Sequence, residues 1–204
     1  MIDTLIFDLG GVIVNLDNDQ VKAALLELGM TRIGMFLKRD KIKRLMNDFI
    51  DGLRPTEDVL TDMQSLCRKG TTHEEILKVV GKLVGDLPKS RLELLVELRK
   101  KYQVFLLSNI NDVLWDMTLK QMEQLGYSQT DCFDEVFLSY EMQLAKPDPS
   151  IYFQVIKETG MNPASTLYFD DRRDNAEAGK EAGMKAVLVK TNHLEESLKE
   201  AGLM

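Results

Sequence analysis

At 204 residues the chain has room for one core-forming domain, or for a core carrying a smaller insertion, and little room for two independent domains. Hydrophobic residues make up 44% and charged residues 29%, values that set aside disordered, collagen-like and membrane classes. The net charge of −7 argues against a nucleic-acid partner, and no apolar stretch reaches the roughly 18–20 residues that a bilayer crossing needs.

The first predicted element is a strand over Thr4–Phe7, followed by Asp8 and the turn-forming pair Gly10-Gly11. The leading stretch MIDTLIFDLGGVIVN is apolar but lacks a basic lead-in and is interrupted by Asp8 and two glycines, so it does not read as a signal peptide. Cys67 and Cys132 stand far apart without CxxC spacing and are expected to be reduced thiols. Both features point to a cytoplasmic protein.

From about Asn18 to Leu87 no strand is expected. Amphipathic patterns predict helices over Asp19–Leu28, Asp40–Phe49, Thr56–Arg68 and Thr72–Val84. Thr56 with Asp58, and Thr72 with Glu74 and Glu75, mark helix N-termini with acidic first turns. The stretch reads as a helical insertion between the first two strands.

Beyond it, strands are predicted over Val104–Leu107, Val136–Leu138, Thr166–Phe169 and Ala186–Val189, each a short run apolar on both faces. Helices fall between them, over Arg91–Lys101, Pro149–Thr159 and Asn175–Ala182, the last stopped by Gly183. A further helix after Ser108 would bury Trp115, Met117 and Met122, and the Glu195–Lys199 charges form the polar side of a final helix. Alternating strand and helix at this spacing predicts an α/β fold with a doubly wound parallel sheet.

In such sheets ligands bind beyond the carboxyl ends of the strands, which brings Asp8, Ser108 and the Asp170–Asp171 pair to one crevice. Each has a plainer reading alone: Asp8 as a turn or capping residue, Ser108 and Asn109 as caps, Lys146 as a solvated lysine. Together they suggest more. Adjacent carboxylates are costly unless a cation neutralises them, and Mg²⁺, a hard ion held by one or two carboxylates with water and phosphate oxygen, is the economical partner. Lys146, stiffened by Pro147 and Pro149, would balance phosphate charge.

The series Phe7-Asp8-Leu9-Gly10-Gly11-Val12, Leu107-Ser108-Asn109, Lys146-Pro147 and Phe169-Asp170-Asp171-Arg172-Arg173-Asp174-Asn175 resembles, in order and spacing, the four motifs of the haloacid dehalogenase-like (HAD) superfamily. The resemblance spans the whole chain. It implies a Rossmann-like core over residues 1–17 and 88–204 with a C1-type helical cap over 18–87. It further implies a Mg²⁺-dependent phosphatase of a small phosphorylated metabolite, acting as a monomer or weak dimer. Asp8 would be the nucleophile that forms an aspartyl-phosphate. Ser108, Asn109 and Lys146 would hold the phosphoryl group. Asp8, the carbonyl of Gly10 and Asp171 would ligate the metal, with Asp170 assisting, and Asn175 would orient the acidic loop.

One position departs from the pattern. Most phosphatases of this superfamily carry a second Asp two residues after the nucleophile as general acid–base, and here Gly10 stands there. Losing such a group costs about 10²–10⁴ in rate, roughly 3–5 kcal/mol of barrier. Leaving groups that need little protonation suffer least, anomeric sugar phosphates among them. The Asp-Leu-Gly variant resembles the subgroup of α-glucose-1-phosphate phosphatases and epoxide-hydrolase N-terminal phosphatases. Asp17 is a candidate replacement acid, with a solvated loop residue as the plainer reading. A non-catalytic binding protein and a dehalogenase are the competing functions, and the intact acidic pair speaks against the latter.

Met35, Phe36 and Phe49 are candidates for pocket or packing roles. Gly81, Gly85, Lys89 and Ser90 have the wrong spacing for a phosphate-binding loop, and His73 and His193 stand alone without ligand partners.

Overall fold

The computed structural model of the protein describes residues 1–17, 19, 23, 26, 28–29 and 36–204. The expected helix over Asp19–Leu28 falls largely outside these residues, as does Met35. Five strands form one parallel sheet: β1 (Thr4–Phe7), β2 (Gln103–Ser108), β3 (Glu135–Leu138), β4 (Thr166–Asp170) and β5 (Lys185–Leu188). Their order is β3-β2-β1-β4-β5. All five coincide with the predicted apolar runs to within a residue or two.

The period of two along each strand decides which face a side chain joins. Leu5 and Phe7 of β1, Val104 and Leu106 of β2 and Phe169 of β4 belong to one buried cluster, while Ile6, Phe105, Leu107 and Tyr168 belong to a second. Phe7 and Phe169, partners in register across β1 and β4, stack with ring centroids 4.9 Å apart. Both faces are covered by helices, as burial of a parallel sheet requires.

Between β1 and β2 the described elements are helical: α1 (Arg39–Asp51), α2 (Thr56–Gln64), α3 (His73–Val80) and a 3₁₀ turn over Gly81–Leu83. The α3 start carries a capping box in which Thr72 and Glu75 exchange hydrogen bonds. The expected helix to Arg68 ends early at Gln64, beyond which the chain tightens into i→i−3 turns, with Leu66 N donating to Met63 O at 2.9 Å and Cys67 N to Gln64 O at 3.1 Å, and the Arg68 N–H turns to the Leu28 carbonyl at 3.0 Å. Phe49 is fully buried among these helices, a packing role, whereas Phe36 is 76% exposed.

The remaining helices are α4 (Lys89–Leu98), α5 (Asp112–Gln124), the short α6 (Gln129–Cys132) and α7 (Ser139–Met142), α8 (Pro149–Thr159), α9 (Arg173–Glu181) and α10 (Leu194–Glu200). Leu92, Leu95 and Leu98 face the core from α4, and Trp115 and Met122 from α5. Cys67 and Cys132 are free thiols. Among the described residues no helix is long and apolar enough to cross a membrane.

The chain leaves and re-enters the sheet region through two strands of backbone that lie side by side. Asn15 N–H donates to Asp86 O at 2.8 Å, and a Cβ on Gly85 would sit 1.8 Å from Asn15 O. Only glycine permits that approach. The outgoing segment is clamped by Asn192, whose side chain accepts from Leu16 N and donates to Leu16 O. Behind it, the buried Arg91 guanidinium reaches Ile13 O, Asn192 O and the Glu195 carboxylate.

Candidate active site

Sequence order runs outward from β1 to β2 and β3, then returns to the other side of β1 with β4. The carboxyl ends of β1 and β4 are therefore the topological switch point where open α/β sheets bind ligands. Asp8 follows β1 directly, and Asp170 closes β4. Ser108 ends β2 one strand away. A cavity of about 220 Å³ opens over these ends and is lined by Asp8, Gly10, Ser108, Asn109, Lys146 and Asp171 among others.

Lys146 organises the charges. Its side chain is 1% exposed, and its ammonium donates to Leu107 O and Asp170 Oδ2 at 2.8 Å each and approaches Asp8 Oδ1 at 3.0 Å. Those three acceptors account for its three N–H groups. Burial works against the ammonium, but Asp170 and Asp8 outweigh it and hold the lysine above its ordinary pKa, so it stays charged. On Asp8, burial pushes the carboxyl up against the pull of Lys146, with Asp170 and Asp171 adding to the rise. Asp8 Oδ1 also accepts from Leu9 N at 2.7 Å. Among the described residues Oδ2 has no hydrogen-bond partner.

Asp170 is saturated. Its oxygens accept from Lys146, the Tyr168 hydroxyl, Arg172 N at 2.8 Å and both reaches of Asn175 Nδ2 at 3.1 Å. Asp171 differs: it is half-buried, with Oδ2 accepting from Thr191 Oγ1 at 2.8 Å. Its carboxylate packs on Gly11, where φ is +75° and a Cβ would fall 2.3 Å from Asp171 Oδ2. Glycine at 11 is thus required twice, by conformation and by space. Gly10 is not so constrained, since a Cβ there meets only Leu16 at 3.5 Å.

Asp8, Asp170 and Asp171 place one oxygen each within 4.8 Å of one another. Three carboxylates against one lysine leave an excess of negative charge that a hard divalent cation would neutralise. Asn175 Oδ1, buried beside the cluster without a partner among the described residues, is a polar atom that a metal-bound water would satisfy. The residues fit such an ion.

Asn109 ties the loops together. Its Oδ1 accepts from Lys146 N at 2.8 Å, and its Nδ2 donates to Lys146 O at 2.8 Å and to Asp51 Oδ1 at 2.9 Å. The side chain therefore holds the lysine loop in place. Ser108 is buried, and among the described residues its hydroxyl has no hydrogen-bond partner, leaving it available to a ligand. Asp17 is exposed and lines a neighbouring crevice with Gly85 and Asn192, not the cavity of Asp8.

Several lining residues carried no sequence signal. Asp51, at the end of α1, faces the cavity together with Asn47, Ile50, Leu83 and Val84 from the helical segment. Asp51 before Gly52 reads only as a helix terminus. Thr191 and Ser139 likewise act through contacts far apart in sequence, while Tyr168 reaches Asp170 two residues along the same strand. His73 pairs with Glu57 at 2.9 Å and His193 with Thr191 O at 2.8 Å, both away from the acidic cluster.

The sequence pattern of the haloacid dehalogenase-like hydrolases matches residues 2–183. Among curated proteins, the chain is 29% identical over 186 residues to the D-ribitol-5-phosphate phosphatase of Bacteroides thetaiotaomicron, covering 91% of this chain and 90% of that protein. It is 24% identical to the phosphorylated carbohydrates phosphatase of Thermotoga maritima, over 98% of this chain and 91% of that one. A crystal structure of a HAD family enzyme of Bacteroides thetaiotaomicron, in complex with magnesium and inorganic phosphate, matches with a TM-score of 0.83 at 29% identity. That match covers 95% of this chain and 96% of the other. With four motifs converging on one strand-end cavity and the family pattern running through nearly the whole sequence, the chain belongs to the haloacid dehalogenase-like hydrolases.

Proposed function

We propose that this hydrolase is a Mg²⁺-dependent phosphatase of a small phosphorylated sugar or polyol, working through an aspartyl-phosphate on Asp8. The observation that carries the reading is the Asp8 carboxylate at the switch point, one oxygen held by Lys146 and Leu9 N and the other open. That oxygen attacks phosphorus, the ester P–O bond breaks, and water then hydrolyses the acyl phosphate to release orthophosphate.

Ser108 binds a phosphoryl oxygen, and Lys146 stabilises the charge on Asp8 and the transferred group from behind the nucleophile. Asp8, the Gly10 carbonyl and Asp171 would hold the metal, with Asp170 assisting. When bound, Mg²⁺ neutralises the phosphate and polarises its oxygens. Asn175 and Thr191 orient Asp170 and Asp171.

Residues 1–17 and 88–204 form the catalytic core and 18–87 the cap. The juxtaposed crossings at Asn15 and Gly85 support that division. The cavity volume suits a metabolite, and relatives named for ribitol 5-phosphate and phosphorylated carbohydrates support the substrate class.

The test is Mg²⁺-dependent phosphate release from p-nitrophenyl phosphate by the native protein and by Asp8→Asn. Loss of at least 10³-fold in the variant, with Mg²⁺ still raising its thermal midpoint, is expected. Equal inactivity of both proteins with the metal bound would instead favour a non-catalytic phosphate-ligand binding protein.

A further inference from the structure

Gly10 leaves the chain without a carboxylate two residues after the nucleophile, although nothing in the local space or backbone demands glycine there. The cavity holds an acid from a different element. Among its described lining residues the carboxylates are Asp8, Asp171 and Asp51, and the first two belong to the acidic cluster. Asp51 is the one left over. It enters from α1, on the helical segment opposite the strand ends.

Its placement is fixed by three side chains from the loops after β2 and β3. Asn109 Nδ2 holds Asp51 Oδ1 at 2.9 Å, Ser139 Oγ donates to Asp51 O at 2.6 Å, and Asn111 Nδ2 donates to Phe49 O at 2.6 Å. Asn109 directly follows Ser108 and grips the Lys146 backbone with the same amide. Gly52, at φ +64°, packs so tightly that a Cβ would lie 2.6 Å from Tyr140 Cβ. Docking this helix end therefore delivers a carboxyl beside the phosphoryl-binding loop, with Asp51 Oδ2 free of partners among the described residues.

We propose that Asp51 is the general acid–base of this phosphatase, supplying from the helical segment the group that Gly10 lacks; the assignment rests on Asp8 being the nucleophile. As Asp8 Oδ2 bonds to phosphorus and the ester P–O bond breaks, the electron pair stays on the leaving oxygen, which takes the proton of the Asp51 carboxyl and departs as an alcohol. In the second half, the Asp51 carboxylate takes a proton from water as that water's oxygen bonds to phosphorus. The acyl P–O bond then breaks, returning the Asp8 carboxylate, orthophosphate and a protonated Asp51. The surroundings favour the acid form: burial raises the Asp51 carboxyl and Asp48 on the same helix adds to it, against Asn109, Arg172 and Lys146.

The experiment compares kcat/KM, which reports only the steps up to loss of the leaving group, for ribitol 5-phosphate and p-nitrophenyl phosphate. Asp51→Asn preserves shape and can keep the Asn109 contact. It should lower the alkyl ester about 10²–10⁴-fold while the aryl ester, whose leaving group departs without a proton, stays within about threefold. Adding Gly10→Asp to that variant should recover part of the alkyl rate. Equal losses on both esters, as a purely structural role would give, or no loss on the alkyl ester, would overturn the assignment and leave the phosphatase reading standing. Native protein inert toward both esters with Mg²⁺ would remove the phosphatase reading and this one with it.

Discussion

On the strand-end side of the cavity, Asp8, Lys146, Asp170 and Asp171 sit in a charge network in which the Lys146 ammonium and both Asp170 oxygens are fully engaged. On the helical side, Ile50, Leu83 and Val84 present apolar surface broken by Asn47 and Asp51. The first side is rigid because a buried charge left without its partner is expensive, so each group fixes the next. The second can change its side chains at modest cost. The charged side constrains substitution and the apolar side tolerates it, except at Asp51, whose carboxyl is held by Asn109.

Substitutions can break this contrast at different depths. Lys146→Met removes the buried ammonium that pairs with both Asp8 and Asp170. A loss of about 3–5 kcal/mol in urea unfolding, with turnover down at least 10²-fold, is the expected result. Stability unchanged by that variant would mean that the two carboxylates are not held as a charged group.

Gly85→Ala acts between the two sides, at the crossing of the linkers, where the new methyl meets Asn15 O at 1.8 Å. The backbone must part, costing about 1–3 kcal/mol. The thermal midpoint should fall and KM for the alkyl ester should rise, because the helical side is displaced while the strand ends are not.

The mildest change is Glu195→Gln, on the scaffold behind the linkers. Burial opposes ionisation of Glu195, but Arg91 outweighs it and holds the carboxyl below its ordinary value. The unfolded chain therefore binds more protons over that interval, so this contribution is full above the ordinary glutamate pKa and is lost as pH falls through the folded value. Removing the charge should flatten the acid limb of urea midpoint against pH, by about 0.5 kcal/mol given its partial exposure to solvent.

Three of the motif positions were legible because each closes or follows a strand: an apolar run that stops at Asp8, Ser108 or Asp170 announces both the strand and what it carries, whereas Lys146, beyond β3, was marked only by the family resemblance. The network that holds them was less so. Asn109 reads as a cap from sequence, yet it braces Lys146 across 37 positions, and Thr191, which holds Asp171, carries no local pattern at all. Gly85 reads in sequence only as a mis-spaced phosphate-loop glycine, yet its lack of a Cβ is what lets the linkers cross at Asn15 O.

The sequence by itself therefore determined the parallel α/β core and the order of its strands along the chain. Those features depend on hydrophobic period and on residues adjacent to each run. Only the tertiary structure decided that Asp51 shares a cavity with Asp8, that Lys146 stands against Asp8 and Asp170 with all its protons engaged, and that Asp17 lies outside. Such pairings depend on how α1 docks against the loops after β2 and β3, through bonds spanning 58 to 88 residues that leave no periodic trace in the chain.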